Sequence, residues 1–389
     1  MKKGRMGKEE EKGIGVAGLR SPCLPHAKGV LYQVSYNPTL FSLFIYLFIY
    51  FSKQMELFYK AVTLADAKEY SEATKTLQDF ITNEAIAEYV PGLILLRALT
   101  LAHPPTEGKQ IPSESALFCK IKTLALSQEA IEKTTRATIK LGEKYREKSG
   151  CGVFLIGSIY DLFFDDRKKA EMFYAMSVTR WKNDMGMCAL GFSLVTSNVS
   201  GADGDEEERK FRMSQAVNYI KEAAAAGNAM AKANLGVIYL SGVGIGAPDP
   251  EKAQKLFEES AELGNPMGLN NLVDMHMRRK TLSLEKCKEM LGSIGVAKMN
   301  NSRSMNMLGQ ILESEGDYDG AFMQYSNAAE QDYARALFNV GRFTLEGKGS
   351  VEKNFSEGYR ILCLSASMGD PLAKNAIRKI RDELKSKPN

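Results

Sequence analysis

The stretch Ala231-Lys-Ala-Asn-Leu-Gly236-Val-Ile-Tyr239-Leu-Ser-Gly242-Val-Gly244-Ile, followed by Pro250-Glu-Lys-Ala253 and then Ser260-Ala261-Glu-Leu-Gly264, decides the fold. Its second part has a small residue, another eight positions on, and Gly three positions later. The same register recurs at Ala216/Ala224/Gly227, Ala321/Ala329/Asp332 and Gly358/Ala366/Gly369. Eight residues is just over two helical turns, so both small residues share a face that a neighbouring helix can approach closely. The Gly suits the left-handed position that ends a helix, and Asn228, Asn265-Pro266 and Asp370-Pro371 then supply N-caps for the next one.

The first part of the stretch repeats as well. Leu235-Gly236 with Tyr239 is echoed by Ile156-Gly157 with Tyr160, Leu190-Gly191, Leu308-Gly309 and Val340-Gly341 with Phe343, and more weakly by Leu272-Val273. Six units at intervals of about thirty to forty-five residues describe stacked helix pairs. The expected fold is all-α, an alpha-alpha superhelix or solenoid of helix-turn-helix repeats. Domain organisation follows: a repeat array over 150–384 with a short tail at 385–389, and a helical region over 55–149. In that region Lys68-Glu69-Tyr70-Ser71-Glu72-Ala73, with Leu77 and Phe80, resembles one tetratricopeptide-type unit. Pro104 to Pro112 reads as a linker, Ser113 to Ser149 as one or two helices, and Gly201 to Lys210 as an acidic loop insertion.

Residues 1–54 share neither composition nor pattern with the rest and read as a disordered or non-native extension. They include Leu40 to Phe51, a dozen apolar residues where a bilayer span takes about twenty. A signal anchor, a buried aromatic segment and an extension ahead of a true start at Met55 are the three readings of it, so membrane association stays open.

Composition narrows the chemistry. In 389 residues, Lys and Arg exceed Asp and Glu by only four and form no basic stripe threaded with aromatics, so nucleic acid is not an expected partner. The six cysteines stand more than thirty residues apart and the three histidines are scattered, which gives no zinc-ligand spacing and no disulfide framework; no metal or cofactor is expected. Gly242-Val-Gly244-Ile-Gly246 and Gly347-Lys348-Gly349-Ser350 look like nucleotide-binding loops, but the spacing is wrong and no strand precedes either, so both read as inter-helix turns. No catalytic constellation emerges, and the chain is not expected to be an enzyme.

The stretch from Ala231 to Gly264 resembles the Sel-one-like repeat, a relative of the tetratricopeptide repeat, and weaker copies extend the resemblance over about Gly150 to Leu384. The resemblance implies a non-catalytic adaptor or scaffold, cytoplasmic, that binds proteins or peptides on the concave face. It implies a concave lining at −6, −3, +1 and +4 from the first-helix Gly. In the middle units that is Met185, Cys188, Phe192, Val195, Met230, Ala233, Val237 and Leu240, an apolar half. In the later units it is Met267, Asn270, Asp274, Met277, Arg303, Asn306, Gln310, Glu313, Arg335, Phe338, Arg342 and Leu345, a polar half. Asn270, Asn306 and Gln310 are candidates for pairing with a peptide backbone, Arg335 and Arg342 for holding a carboxylate, and Phe338 and Met230 for apolar contact. Reversing both arginines is expected to abolish binding while leaving the fold intact. A second branch of the family implies a membrane-tethered adaptor of the endoplasmic reticulum, for which Asn198, Asn300 and Asn354 offer glycosylation sequons. A third implies small-molecule hydrolysis.

Overall fold

The computed structural model describes residues 54–82, 88–105, 112, 114–199, 205–296 and 300–386. The chain divides into two units, Met1–Glu56 and Leu57–Asn389. The expectations for Leu40 to Phe51 and for the tail at 387–389 lie outside the described residues, as does Asn198 beyond its backbone.

The second unit is wholly helical among its described residues. Its helices begin with residues 57–66 (α1), Tyr70–Ile81 (α2), Val90–Ala102 (α3), Glu114–Leu124 (α4) and Gln128–Tyr145 (α5). Six helix pairs follow: Gly150–Leu162 and Arg167–Trp181 (α6, α7), Asp184–Val199 and Glu206–Ala225 (α8, α9), Ala229–Ser241 and Pro250–Glu262 (α10, α11), Pro266–Arg279 and Leu284–Met290 (α12, α13), Ser302–Glu315 and Tyr318–Ala329 (α14, α15), and Ala334–Glu346 and Phe355–Ser367 (α16, α17). Pro371–Ser386 (α18) closes the array. Each helix packs chiefly on its sequence neighbour, and first helices also touch the first helices of adjacent pairs. No helix of the described residues is long and apolar enough to cross a membrane.

The repeat glycines work by size exchange. A Cβ on Gly157 would sit 2.8 Å from the Tyr174 ring, on Gly236 2.5 Å from Phe257, on Gly309 2.6 Å from Tyr325 and on Gly341 3.0 Å from Leu362. Phe257, Tyr325 and Leu362 stand four residues after the small residue that opens the second-helix motif, and Tyr174 stands four after Ala170, so one face offers a hole and the other a knob. In the degenerate unit Val273 fills the Gly position and shares one buried cluster with Cys287 and Leu291. Gly236→Leu is therefore expected to cost about 1–3 kcal/mol, read as a lower urea midpoint. An unchanged midpoint would mean that the Phe257 contact is not a packing constraint.

The turns carry the predicted geometry, including the one place where Gly is missing. Gly227, Gly264 and Gly369 take positive φ, and Asp332 does so as well, at 57°. A carboxylate side chain tolerates the left-handed region better than a branched one, which is why the register survives there. Gly242 and Gly347 end α10 and α16 in the same conformation, which makes the two glycine-rich stretches inter-helix turns. The acidic loop needs correction. Of Gly201 to Lys210, residues 201–204 lie outside the described residues, but Asp205 caps α9 through the Glu208 amide, and Glu206 to Glu208 form its first turn. Carboxylates belong there because the helix N-terminus is electropositive.

The largest departure concerns the apolar half of the concave face. Helix α3 is apolar on all sides and almost wholly buried, and it packs on α6 and α10 as well as on its neighbours α2, α4 and α5. At its end the Asn265 amide donates to the Leu101 carbonyl (2.6 Å), His103 meets Asp184 (2.7 Å) and Pro104 packs on Gly264. In α4, burial and then the neighbouring Asp332 carboxylate push the Cys119 thiol up. The chain's own N-terminal helices thus occupy part of the surface that the repeats present at α6 to α10. Met185, Cys188 and Ala233 are buried there, whereas Phe192, Val237 and Leu240 stay exposed.

Candidate peptide-binding cleft

Beyond α10 the first-helix face is open. A cleft of about 550 Å³ runs across the last repeats. Asp274 and Met277 of α12, Arg303, Asn306, Met307 and Gln310 of α14, the chain at Tyr333 to Arg335, and the turn from Met368 to Pro371 line it.

Of the seven residues singled out from the sequence, three line this cleft. Gln310 is exposed on its wall. Asn306 is buried, and its Oδ1 accepts from the Asn339 amide (2.8 Å), so it binds repeat to repeat. Arg335 donates through Nε to Asp370 (2.6 Å), and its terminal amines form no hydrogen bond among the described residues. The other four are elsewhere. Asn270 is buried beneath the surface, where its amide donates to Asn301 (3.0 Å) and its oxygen accepts from Ser304 (2.8 Å). Met230 lines a separate cavity under α3. Phe338 is half-buried outside the cleft. Arg342 forms a bidentate pair with Glu313, at 2.9 and 2.6 Å.

Two residues that sequence reasoning left out shape the cleft. Asp370 was legible as an N-cap, and its Oδ1 does accept from the Ala373 amide (2.9 Å). Its second oxygen orients Arg335 from the next repeat, a role that no spacing within one repeat encodes. Tyr333 closes one side from the turn before α16.

Glu313 anchors the neighbouring network. Burial alone would raise its carboxyl, but hydrogen bonds from Arg342, Lys348 and Tyr325 outweigh burial and take it from 4.5 to about 2. Folding thus favours the ionised form, so this site's stabilisation is complete above about pH 4.5 and disappears as pH falls through about 2. Glu313→Gln should be less stable than wild type at neutral pH, with the gap in urea midpoint closing as the two are acidified. A gap independent of pH would contradict the ionised assignment.

Among the described residues no three His, Cys, Asp or Glu side chains gather in a way that could hold a metal ion.

A family model for the Sel1 repeat matches residues 229–265 and 334–370. No curated protein matches the chain. Among solved structures, the Sel1 repeat protein from Oxalobacter formigenes is 16% identical, with 57% of this chain covered, 88% of that one, and a TM-score of 0.45. The protective antigen c5321 of uropathogenic Escherichia coli, which displays an SLR fold, is 20% identical over 84% of this chain and 79% of its own, at a TM-score of 0.38. Yeast Tom70 is 14% identical over 86% and 89%, at 0.42.

Proposed function

We propose that this chain, a Sel1-repeat solenoid, is a non-catalytic adaptor that holds an extended segment of a partner protein in the cleft across α12, α14 and α16. One observation carries the reading. The first-helix surface is covered in part by α3 from α6 to α10 and stands open beyond it, where amide, guanidinium and apolar groups are interleaved. Gln310 offers both a donor and an acceptor to a peptide backbone, Arg303 and the terminal amines of Arg335 suit carboxylate or carbonyl oxygens, and Met277 and Met307 give adaptable apolar contact. An open cleft of this breadth, lined from four successive elements, fits an extended chain better than a small substrate.

Panning a random peptide library on the full chain tests this. Enriched peptides are expected to lose tenfold or more in affinity, about 1.4 kcal/mol, for a Gln310→Trp variant whose melting matches wild type. Gln310 is exposed, so the substitution blocks the cleft without opening the core. Peptides that bind the variant as tightly as wild type would place recognition elsewhere.

A further inference from the structure

A second cavity, of about 240 Å³, lies between α3 and the first helices α6, α8 and α10. Its walls are mostly apolar: Ile94 and Leu101 come from α3, Phe154 from α6, Met185 and Phe192 from α8, and Met230 from the first turn of α10. At about 30 Å³ per water it has room for roughly eight water molecules, yet its surface offers them few partners. Polar groups gather where α6 ends and α7 begins: Arg97, Arg167, Asp161, Ser158 and the Tyr174 hydroxyl.

The wall carboxylate nearest Arg167, Asp161, already accepts from Tyr174 (3.3 Å). Arg167 is exposed at the rim and donates only to the hydroxyls of Ser197 and Thr196, at 3.4 and 3.2 Å, with no carboxylate in ion-pair range among the described residues. A narrow apolar chamber with a guanidinium at its mouth is complementary to an alkyl chain that ends in an anion.

We infer that this cavity binds the carboxylate of a free medium-chain fatty acid, with the alkyl chain between α3 and α8 and the head group at Arg167. The head group completes the charge that Arg167 lacks, and the chain replaces water against Ile94, Phe154 and Met185. A cationic amphiphile would meet the Arg167 guanidinium at the mouth, and a neutral one would leave Arg167 as it is.

Isothermal titration of the full chain with decanoate, decanol and decylamine tests the assignment. One decanoate is expected to bind per chain, tenfold or more tighter than decanol or decylamine, and Arg167→Glu should lower decanoate affinity by at least that factor. Arg167 is exposed and opens α7, where an acidic residue suits the helix N-terminus, so the variant should fold; an unchanged melting curve verifies this. A second variant, Ala189→Phe, fills the chamber and should also abolish binding. No decanoate binding at about 1 mM, equal binding of decanol, or full affinity in Arg167→Glu would each overturn the inference.

Discussion

Asp184→Ala is expected to lower the stability of the unit by roughly 3–5 kcal/mol, more than Gly236→Leu. The carboxylate is buried in the first turn of α8 and accepts from three elements distant in sequence. Tyr70 of α2 donates at 3.1 Å, His103 lies at 2.7 Å after α3, and Asn228, the N-cap of α10, donates at 2.9 Å. His103 also stacks on Tyr70, with centroids 3.6 Å apart. Burial would raise the Asp184 carboxyl, but the bonds from His103, Asn228 and Tyr70 overcome it and hold it below the usual carboxylate range. Removing the acceptor leaves three polar groups without their partner in a space with little water, each at a cost of about 1–3 kcal/mol. Urea unfolding should show a lower midpoint with an unchanged slope, and Asp184→Asn should recover part of the loss. A change under about 1 kcal/mol would mean that α2 and α3 are not fastened to the array through this residue.

Reversing Arg335 and Arg342 together is expected to unfold the last repeats rather than to probe binding, contrary to what their positions in the sequence suggest. The two stand seven residues apart on one helix face, which makes them look like a matched recognition pair. Arg342, however, is three-quarters buried and doubly bonded to Glu313, itself 19% exposed. Arg342→Glu removes both bonds and sets a second carboxylate beside the first, at a cost of about 3 kcal/mol. Arg335→Glu faces Asp370 across a pair whose arginine is one-third exposed, so its effect should be smaller, about 1 kcal/mol. Hydrogen exchange should accelerate in α16 to α18 in the double variant and stay near wild type in Gln310→Trp. Equal protection in the double variant would restore both arginines as free recognition groups.

The contrast between these residues shows what the sequence can carry. The helix pairs were legible because their spacing is itself the packing constraint: Gly236 must stand over Phe257 whatever else the chain does. The caps were legible for the same reason, since Asn228 and Asn265 serve amides two or three residues away. Partners from other repeats were not. Arg342 and Glu313 are 29 residues apart, Asn339 and Asn306 are 33, and nothing in an asparagine distinguishes an amide that bridges repeats from one that awaits a peptide. Helix α3 was the hardest case. With apolar residues on every side it has no face to read, and the bond that seats it, from Asn265 to Leu101, spans 164 residues. Met230 was therefore assigned to an open surface that α3 covers. Gln310, Asn306 and Arg335 did reach the cleft, whereas Arg342 and Phe338, at the same offsets as Gln310 and Asn306 from the next repeat Gly, did not, so the offset alone does not place a residue there.

Photo-crosslinking from the cleft is the most direct test of the central claim. A benzophenone amino acid at position 310 of the full chain, and separately at Ile139, exposed on α5, would be irradiated with a library-selected peptide. The account predicts an adduct from position 310 and none from position 139, with competition by unlabelled peptide. Adducts from position 139 alone, or from neither position while the peptide still binds, would contradict it.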